Sequence, residues 1–343
     1  MREDGVSGDL LRWYDGAARV MPWRVGPAAR AQGQRPDPYR VWLSEVMLQQ
    51  TTVAAVKEYF IRFTTRWPDV GALAAADDGA VMAQWAGLGY YARARNLLAC
   101  ARQVAAMGGF PQDEAGLRAL PGIGPYTAAA VAAIAYDHPA VVMDGNVERV
   151  MARLFAVQTP LPMAKPQLYD LAASQTPQTR AGDYAQAVMD LGATICTPRS
   201  PACGICPLMQ HCAARAAGIA ADLPRKLAKP EKPTRQGVVW ISQRSRDGAF
   251  LLERRGDKGL LGGMLAFPST GWDGSDAPAP AGADWRSIGT ARHTFTHFHL
   301  HLEVQFTAQD CNPQRGSYQP LNPKDLPTLM RKAYRIYTDH LPR

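Results

Sequence analysis

Four cysteines in one short segment constrain the fold of this 343-residue chain more than any other feature of its sequence. They are Cys196, Cys203, Cys206 and Cys212, separated by six, two and five residues. The remaining two cysteines stand alone, far from this group. Clustering of this kind in an intracellular chain indicates a metal site rather than a framework of disulfide bonds.

The spacing of the four cysteines bears on which metal they bind. Thiolates are soft ligands that suit either a tetrahedral zinc ion or a cubane iron–sulfur cluster. Structural zinc usually draws on two tight Cys-x2-4-Cys pairs, whereas this segment has one tight pair, Cys203 and Cys206, between two wider gaps. The spacing therefore favours a cluster, with zinc as the alternative. His211 adjoins the last cysteine, but four thiols already complete a ligand set, so we interpret it as a surface residue.

Composition and charge narrow the class of protein. Hydrophobic residues make up 47% of the chain and charged residues 20%, which is ordinary for a globular protein with a core. The net charge of +8 favours a polyanionic partner, although charge alone is weak evidence for nucleic acid binding. No stretch approaches the roughly 18 apolar residues of a membrane helix, and the first residues lack the apolar core of a secretory signal. We expect no membrane association and a cytoplasmic location, at the nucleoid in a bacterium.

The pattern of apolar residues divides the chain into two domains of different class. Residues 1–216 contain apolar runs at helical spacing, such as YTAAAVAAIAY, and predict an all-α domain that includes the cysteine loop 196–212. Residues 217–236 mix Pro, Lys and Ala without a clear period and predict a linker. In residues 237–343 the runs GVVWISQ, AFLLERR and TFTHFHLHLEVQF predict strands, and DLPTLMRKAYRIY predicts a final helix. The second domain is therefore expected to be a small α+β fold.

The segment LPGIGPY joins two helical patterns and ends at Tyr126. We expect Gly122 and Gly124 to let the backbone turn with positive φ and to leave amide N–H groups uncovered. At the start of a helix such groups can hold a phosphate oxygen of DNA. A helix–helix turn without a ligand is an equally good interpretation of these glycines taken alone.

A second polar position follows 18 residues after Tyr126, in the segment VMDGNVER. Asp144 can be an N-cap of the helix that follows, and the spacing alone favours this interpretation. The alternative is a carboxylate directed into a cleft from the start of a helix.

Taken in order, a helix–hairpin–helix, a Gly-rich turn with Asp144 and the cysteine loop resemble the endonuclease III superfamily of DNA glycosylases. The resemblance implies two helical lobes, a damaged base turned into the cleft between them, and a [4Fe-4S] cluster on the four cysteines. Bifunctional members of that superfamily carry a lysine where this chain has Tyr126. Without an amine to attack the sugar, we expect no β-lyase activity.

The segment WLSEVMLQQT, residues 42–51, resembles the active-site helix of the MutY type, the adenine-specific branch of the superfamily. Glu45 stands among apolar residues there, and desolvation raises the pKa of a carboxyl group until it can deliver a proton near neutral pH. For a helix glutamate without this context, an exposed ion pair would be the expected state. The resemblance assigns Glu45 as the acid that protonates adenine and Asp144 as the carboxylate that stabilises the oxocarbenium-like sugar.

The segment that contains Phe295, Thr296 and His297 resembles the part of the Nudix-like C-terminal domain that recognises 8-oxoguanine in the MutY type. The usual sequence there is Phe-Ser-His, and threonine keeps the hydroxyl group. A catalytic Nudix box is missing from the sequence, so we expect this domain to bind and not to hydrolyse. His297, His299 and His301 alternate and would share one face of a strand. A metal site is the alternative there, but the resemblance assigns the segment to DNA.

The resemblance also assigns supporting residues. Tyr126 and Asn146 match residues that form hydrogen bonds in the site and orient Asp144. Gln50 and Tyr90 match residues that fill the gap left by an extruded base, and Thr51 adjoins the first of them. The full set of expected DNA and adenine contacts in the helical domain is Arg19, Trp23, Arg24, Gln49, Gln50, Thr51, Tyr90, Gly122, Gly124 and Gln186.

We therefore expect a monofunctional glycosylase that releases adenine mispaired with 8-oxoguanine or guanine in double-stranded DNA and binds DNA as a monomer. One alternative is a bifunctional enzyme of the endonuclease III type, against which Tyr126 argues. Another is a non-catalytic iron–sulfur module that binds DNA, against which the presence of both Glu45 and Asp144 argues.

Overall fold

The computed structural model describes residues 5–228, 231–256, 260–272 and 277–341. The chain divides into two compact units, Met1–Leu227 and Ala228–Arg343. The boundary lies within the segment 217–236 that the sequence predicts as a linker. None of the helices in the described ranges has both the length and the apolar character needed to cross a bilayer.

The first unit is built from helices, as the periodicity of its sequence predicts. Short 3-10 turns, Cys203–Ile205 and Ala220–Asp222, lie near its end. The helices are α1 Val6–Ala17, α2 Pro27–Ala31, α3 Pro38–Leu48, α4 Val53–Arg66, α5 Val70–Ala74, α6 Asp78–Trp85, α7 Tyr91–Met107, α8 Glu114–Arg118, α9 Pro125–Tyr136, α10 Gly145–Leu154, α11 Lys165–Gln175, α12 Ala181–Thr194 and α13 Ala213–Ala216.

Local sequence explains where α3 begins, and its apolar residues bury its middle. Asp37 caps the helix by accepting a hydrogen bond from the amide of Tyr39 at 2.9 Å, and Pro38 occupies the first helical position, where no N–H is needed. The middle of the helix is buried, with Trp42 and Met47 almost fully enclosed. A polar side chain on this stretch is therefore forced into the interior.

Small residues bring the neighbouring helices close together. The alanine-rich helix α9 packs against α3 and α12, and α10 also packs against α12. At Gly182 on α12, a Cβ atom would lie 2.4 Å from the carbonyl oxygen of Ala133 on α9, so only glycine permits this approach. The starts of α9 and α10 and the middle of α3 are thereby held around one region.

The second unit is a small α+β fold. Its strands are β1 Thr234–Ser242, β2 Phe250–Arg254, β3 Leu265–Ala266, β4 Arg286–Thr294, β5 His299–Thr307 and β6 Ser317–Gln319, and its helix is α14 Thr328–His340. One sheet has the order β1-β5-β4, with β1 parallel and β4 antiparallel to β5, and the other has the order β3-β2-β6. Helix α14 packs on β4, and a buried cluster of aliphatic and aromatic side chains fills the interior.

The run TFTHFHLHLEVQF, which the alternation of the sequence predicts as one strand, is two strand ends joined by a turn. The amide of Phe295 donates a hydrogen bond to the carbonyl of Phe298 at 2.8 Å, which closes a hairpin between β4 and β5. His299 and His301 lie on β5, but His297 is in the turn. The expectation that all three histidines share one strand face is therefore wrong, because the chain reverses at His297.

Candidate active site

Glu45 lies in the buried middle of α3, with only 7% of its surface exposed. Burial raises its pKa from 4.5 to about 7, against the opposing effects of a hydrogen bond from Tyr126 and the charge of Arg24. The predicted desolvation of this carboxyl group is confirmed. Near neutral pH the side chain can therefore hold a proton and release it.

Tyr126, in the first turn of α9, binds Glu45 and not Asp144. Its hydroxyl donates a hydrogen bond to Oε2 of Glu45 at 2.8 Å and lies 3.7 Å from Sδ of Met189. Burial, followed by the charges of both carboxyl groups, raises the pKa of Tyr126 well above 10. The expectation that Tyr126 orients Asp144 is therefore corrected: it is a permanent donor that fixes one oxygen of Glu45.

Asp144 caps the start of α10, so the structural interpretation of this residue holds. Its Oδ1 accepts hydrogen bonds from the amides of Asn146 and Val147, each at 2.8 Å. Its Oδ2 accepts one from Nδ2 of Asn146, also at 2.8 Å. The same hydrogen bonds therefore cap the helix and orient the carboxylate of Asp144, as expected for Asn146. They hold this carboxylate at the positive end of the helix dipole.

Glu45 and Asp144 belong to one electrostatic site. The charge of Asp144 raises the pKa of Glu45, in the same direction as burial. Two carboxyl groups in this relation divide their tasks, because one keeps its proton while the other carries the charge. Such a pair can deliver a proton to a leaving group and stabilise a positive charge that develops beside it.

A buried carboxylate that the sequence did not single out holds two of the expected pocket residues. Asp190 on α12 is fully buried and accepts from Nε of Arg19 at 2.6 Å and from a terminal nitrogen of Arg24 at 2.8 Å. The pair members are more than 160 positions apart in the chain, so no local pattern joins them. Arg24 in turn lowers the pKa of Glu45, which places this ion-pair cluster beside the acid.

Trp23 and Gln186 are buried in the same unit. Trp23 packs edge-on against Phe60 at a ring-centroid distance of 5.4 Å. Gln186 is 1% exposed, and its amide nitrogen donates to the carbonyl of Gly182 one turn earlier on α12. Both side chains therefore have internal partners in this structure, and their contacts with adenine remain predictions.

Gln50 and Tyr90 share an uncommon backbone conformation. Their φ angles are 57° and 50°, in the left-handed region that residues other than glycine rarely adopt. Tyr90 is 57% exposed, and Gln50 is also exposed at the end of α3. Gln49 and Thr51 flank this point: Gln49 donates to the hydroxyl of Thr127 at 3.3 Å, and the hydroxyl of Thr51 donates to the carbonyl of Gln49.

One arginine that the sequence did not single out joins these two loops. A terminal nitrogen of Arg93 donates to the carbonyls of Val46, Met47 and Gln49 at 2.5–3.2 Å. The other donates to the carbonyl of Leu88 at 3.1 Å, and the guanidinium lies 5.4 Å from the ring centroid of Tyr90. Free carbonyls at the end of a helix attract a cation, so this contact fixes the end of α3 against the loop before α7.

The helical hairpin differs from expectation at one of its two glycines. Gly122 has a φ of 73°, and a Cβ atom there would lie 2.7 Å from Cβ of Asn96. Gly124 is the N-cap of α9 with an extended backbone, φ −87°, and open space where a side chain would be. Positive φ is therefore needed at Gly122 alone, since Gly124 begins the helix in an ordinary conformation. Pro125 follows at the first helical position, and the helix start remains available for a phosphate.

The four clustered thiols line one shared cavity. Among the described residues, no group of three or more His, Cys, Asp or Glu side chains is placed to hold a single metal ion. Four thiols around a shared space are a set of soft donors whose chemistry fits an iron–sulfur cluster. The fully buried Arg153 lies beside them and donates to Sγ of Cys196 at 3.3 Å and to the carbonyl of Thr197 at 2.7 Å.

Arg149 connects the cysteine loop with the start of α10. Its Nε donates to the carbonyl of Cys196 at 2.8 Å, and a terminal nitrogen donates to Oδ1 of Asn146 at 2.8 Å. Asn146 then donates to Asp144. A continuous chain of hydrogen bonds therefore runs from a ligand-bearing loop to the capping carboxylate.

In the second unit, the expected recognition segment forms the tip of the β4–β5 hairpin. Thr296 and His297 are exposed, while Phe298 is 4% exposed and Phe295 half-buried. The two polar residues are therefore presented outward by a turn whose flanking aromatic rings face the domain.

Comparison with known proteins agrees with both units. The family profile described as HhH-GPD superfamily base excision DNA repair protein matches residues 43–169. The iron–sulfur binding domain of endonuclease III matches residues 196–212, and a NUDIX domain matches residues 238–335. The adenine DNA glycosylase of Homo sapiens is 33% identical over 98% of this chain and 74% of that protein. This chain belongs to the adenine DNA glycosylases.

A second relative and two solved structures extend the comparison. The adenine DNA glycosylase of Mycolicibacterium smegmatis is 37% identical and covers 73% of this chain and 97% of that protein. A thermostable thymine-DNA glycosylase superposes with a TM-score of 0.53 at 27% identity, covering 62% of this chain and 95% of that one. A non-covalent endonuclease III–DNA complex gives 0.50 at 21% identity, covering 62% and 94%, which shows the shared fold. This adenine DNA glycosylase is therefore a base-excision repair hydrolase with a [4Fe-4S] cluster, for which its four clustered cysteines are the fitting ligands.

Proposed function

We propose that this adenine DNA glycosylase releases adenine opposite 8-oxoguanine or guanine by hydrolysis without β-lyase activity, and that it acts as a monomer. The observation that carries the proposal is Glu45, a buried carboxyl group with its pKa raised to about 7 beside Asp144. An acid of this pKa matches the need to protonate a poor leaving group at neutral pH.

The proposed reaction begins with extrusion of the adenine nucleotide, because a stacked base is out of reach of both carboxyl groups. Exposed Gln50 and Tyr90 would fill the space left in the duplex. The backbone of both residues is already set in the left-handed region.

Glu45 then donates its proton to N7 of adenine. The hydroxyl of Tyr126 bonds Oε2 and so favours the proton on Oε1. The glycosidic bond breaks, its electron pair leaves with the base, and adenine departs as a neutral molecule. The carboxylate of Asp144 stabilises the positive charge that remains on the sugar.

Water completes the hydrolysis. Glu45, now a carboxylate, accepts a proton from the water molecule as its oxygen bonds to the sugar carbon, which restores the protonated acid. Tyr126 offers no amine for a Schiff base, so the DNA strand stays intact after the base has left. The cluster, when bound, ties the loop 196–212 together through iron–thiolate bonds.

The test compares three duplexes, with adenine opposite 8-oxoguanine, adenine opposite guanine, and thymine glycol opposite adenine. We expect free adenine from the first two, and strand cleavage only after treatment with alkali. Turnover of thymine glycol alone would overturn the substrate assignment. Strand cleavage without alkali would overturn the absence of lyase activity.

A further inference from the structure

A row of aromatic rings with an arginine at each end supports the turn at residues 295–298. Phe295 stacks on Trp272 and on Phe298, at ring-centroid distances of 6.0 and 5.0 Å and an interplanar angle of 30° in both pairs. The guanidinium of Arg255 lies 3.8 Å from the ring centroid of Trp272, and that of Arg235 lies 4.2 Å from that of Phe298. We call these five residues the cation–aromatic row.

The row joins three parts of the domain that are distant in sequence. Arg235 lies on β1, and besides covering Phe298 it donates a hydrogen bond to the carbonyl of Trp272 at 2.9 Å. Lys232 donates to the carbonyl of Phe295 at 3.0 Å, and the ring of His293 meets Phe295 edge-on at 4.7 Å. Lys232 and Arg235 lie outside the hairpin, and they therefore hold the two ends of the turn, at Phe295 and Phe298 respectively.

The two outer rings of the three-ring stack are shielded from water. Trp272 is 3% exposed and Phe298 is 4% exposed. Cation–aromatic and ring–ring contacts are stronger when water is excluded from them. Such contacts offset the conformational entropy lost when an exposed turn is held in one conformation.

We propose that the cation–aromatic row determines specificity by positioning the tip of the turn. Thr296 and His297 are its exposed residues, and the row holds them ordered before any base arrives. 8-Oxoguanine differs from guanine by a C8 carbonyl and an N7–H donor, so telling them apart requires hydrogen-bonding groups held at defined positions. This inference rests on the proposed function and on the sequence resemblance that assigns Phe295, Thr296 and His297 to the base opposite adenine.

The experiment uses the full-length, cluster-containing protein and four variants. Trp272→Leu and Arg235→Met each remove one part of the row, whereas Trp272→Phe keeps a ring. Arg335→Met removes an exposed arginine from α14 of the same domain and is the matched control. Hydrogen exchange of the segment 292–300 without DNA reports order in the turn, and single-turnover excision compares adenine opposite 8-oxoguanine with adenine opposite guanine.

We expect faster exchange in the turn and an approximately tenfold lower ratio of the two excision rates in Trp272→Leu and Arg235→Met. In these two variants the rate of excision opposite guanine should stay close to wild type. Trp272→Phe should keep the wild-type ratio of rates. Arg335→Met should keep both this ratio and the wild-type hydrogen exchange. Equal losses on both duplexes, or equal effects of leucine and phenylalanine at position 272, would overturn the inference. A wild-type protein that fails to distinguish the duplexes would refute recognition of 8-oxoguanine itself. If wild type distinguishes the two duplexes and the row variants keep the same ratio of excision rates, the role of the row is wrong while the proposed function stands.

Discussion

Glutamine at position 45 keeps the shape of the glutamate side chain and can still accept the hydroxyl of Tyr126, but it cannot ionise. Since burial raises the pKa of Glu45 from 4.5 to about 7, the folded protein retains a proton that the unfolded chain has already released in this range. The free energy of unfolding therefore falls as the pH rises from 4.5, and this decrease is nearly complete once the pH passes the pKa of Glu45 in the folded protein.

The size of the effect follows from the two pKa values. One pKa unit corresponds to about 1.36 kcal/mol. Compared with its value well below pH 4.5, the free energy of unfolding of the wild-type protein is therefore lower by about 1 kcal/mol at pH 5 and by about 3 kcal/mol at pH 7. Glu45→Gln removes this decrease. Its free energy of unfolding relative to wild type should therefore increase by about 2 kcal/mol between pH 5 and pH 7.

The assay is urea denaturation of both proteins at pH 5, 6, 7 and 8, with unfolding monitored by tryptophan fluorescence. Glu58→Gln, a change at an exposed glutamate on α4, is the control and should show no such trend. Adenine excision by Glu45→Gln should fall by about 10²- to 10⁴-fold while mismatch binding is kept. A stability difference that is the same at pH 5 and pH 7 would refute the burial argument, and excision within tenfold of wild type would refute the acid role.

Three further variants test the site. Tyr126→Phe removes a hydrogen bond that lowers the pKa of Glu45, so the loss of excision at high pH should move to still higher pH; a pH–rate profile that is unchanged contradicts this. Asp144→Asn keeps a capping oxygen but not the charge, so excision should fall by about 10³-fold while the free energy of unfolding changes by less than about 1 kcal/mol. Arg93→Met should weaken mismatch binding and reduce base extrusion, measured by 2-aminopurine fluorescence, whereas the exposed Arg95→Met should do neither; equal behaviour of the two variants would exclude the bridging role.

The sequence predicted those parts of the site that depend on neighbouring residues. Glu45 lies in an apolar stretch of one helix, so its burial could be predicted from the stretch itself, and the capping contacts of Asp144 arise within three positions. The cysteine loop is also local, because all four thiols fall within one segment.

Contacts across the fold could not be predicted in this way. Asp190 joins Arg19 over 171 positions, and Arg93 reaches carbonyls 44–47 positions earlier. Neither pairing leaves a periodic signal, because only the packing of helices brings the partners together. The turn at 295–298 could not be predicted for a different reason. Its residues continue the alternation of the strands on each side, so the sequence pattern does not mark where the chain reverses.

The left-handed backbone of Gln50 and Tyr90 bears on how the enzyme searches DNA. Each such residue costs about 1–2 kcal/mol relative to an ordinary conformation, and the cost is met once, when the chain folds. With both loops already in shape, the proposed insertion of these side chains requires no refolding at each base pair that is inspected. Under the proposed insertion, the time spent at an undamaged pair would be set by how readily that pair opens, and a weakly stacked mismatch would be sampled more often than its normal neighbours.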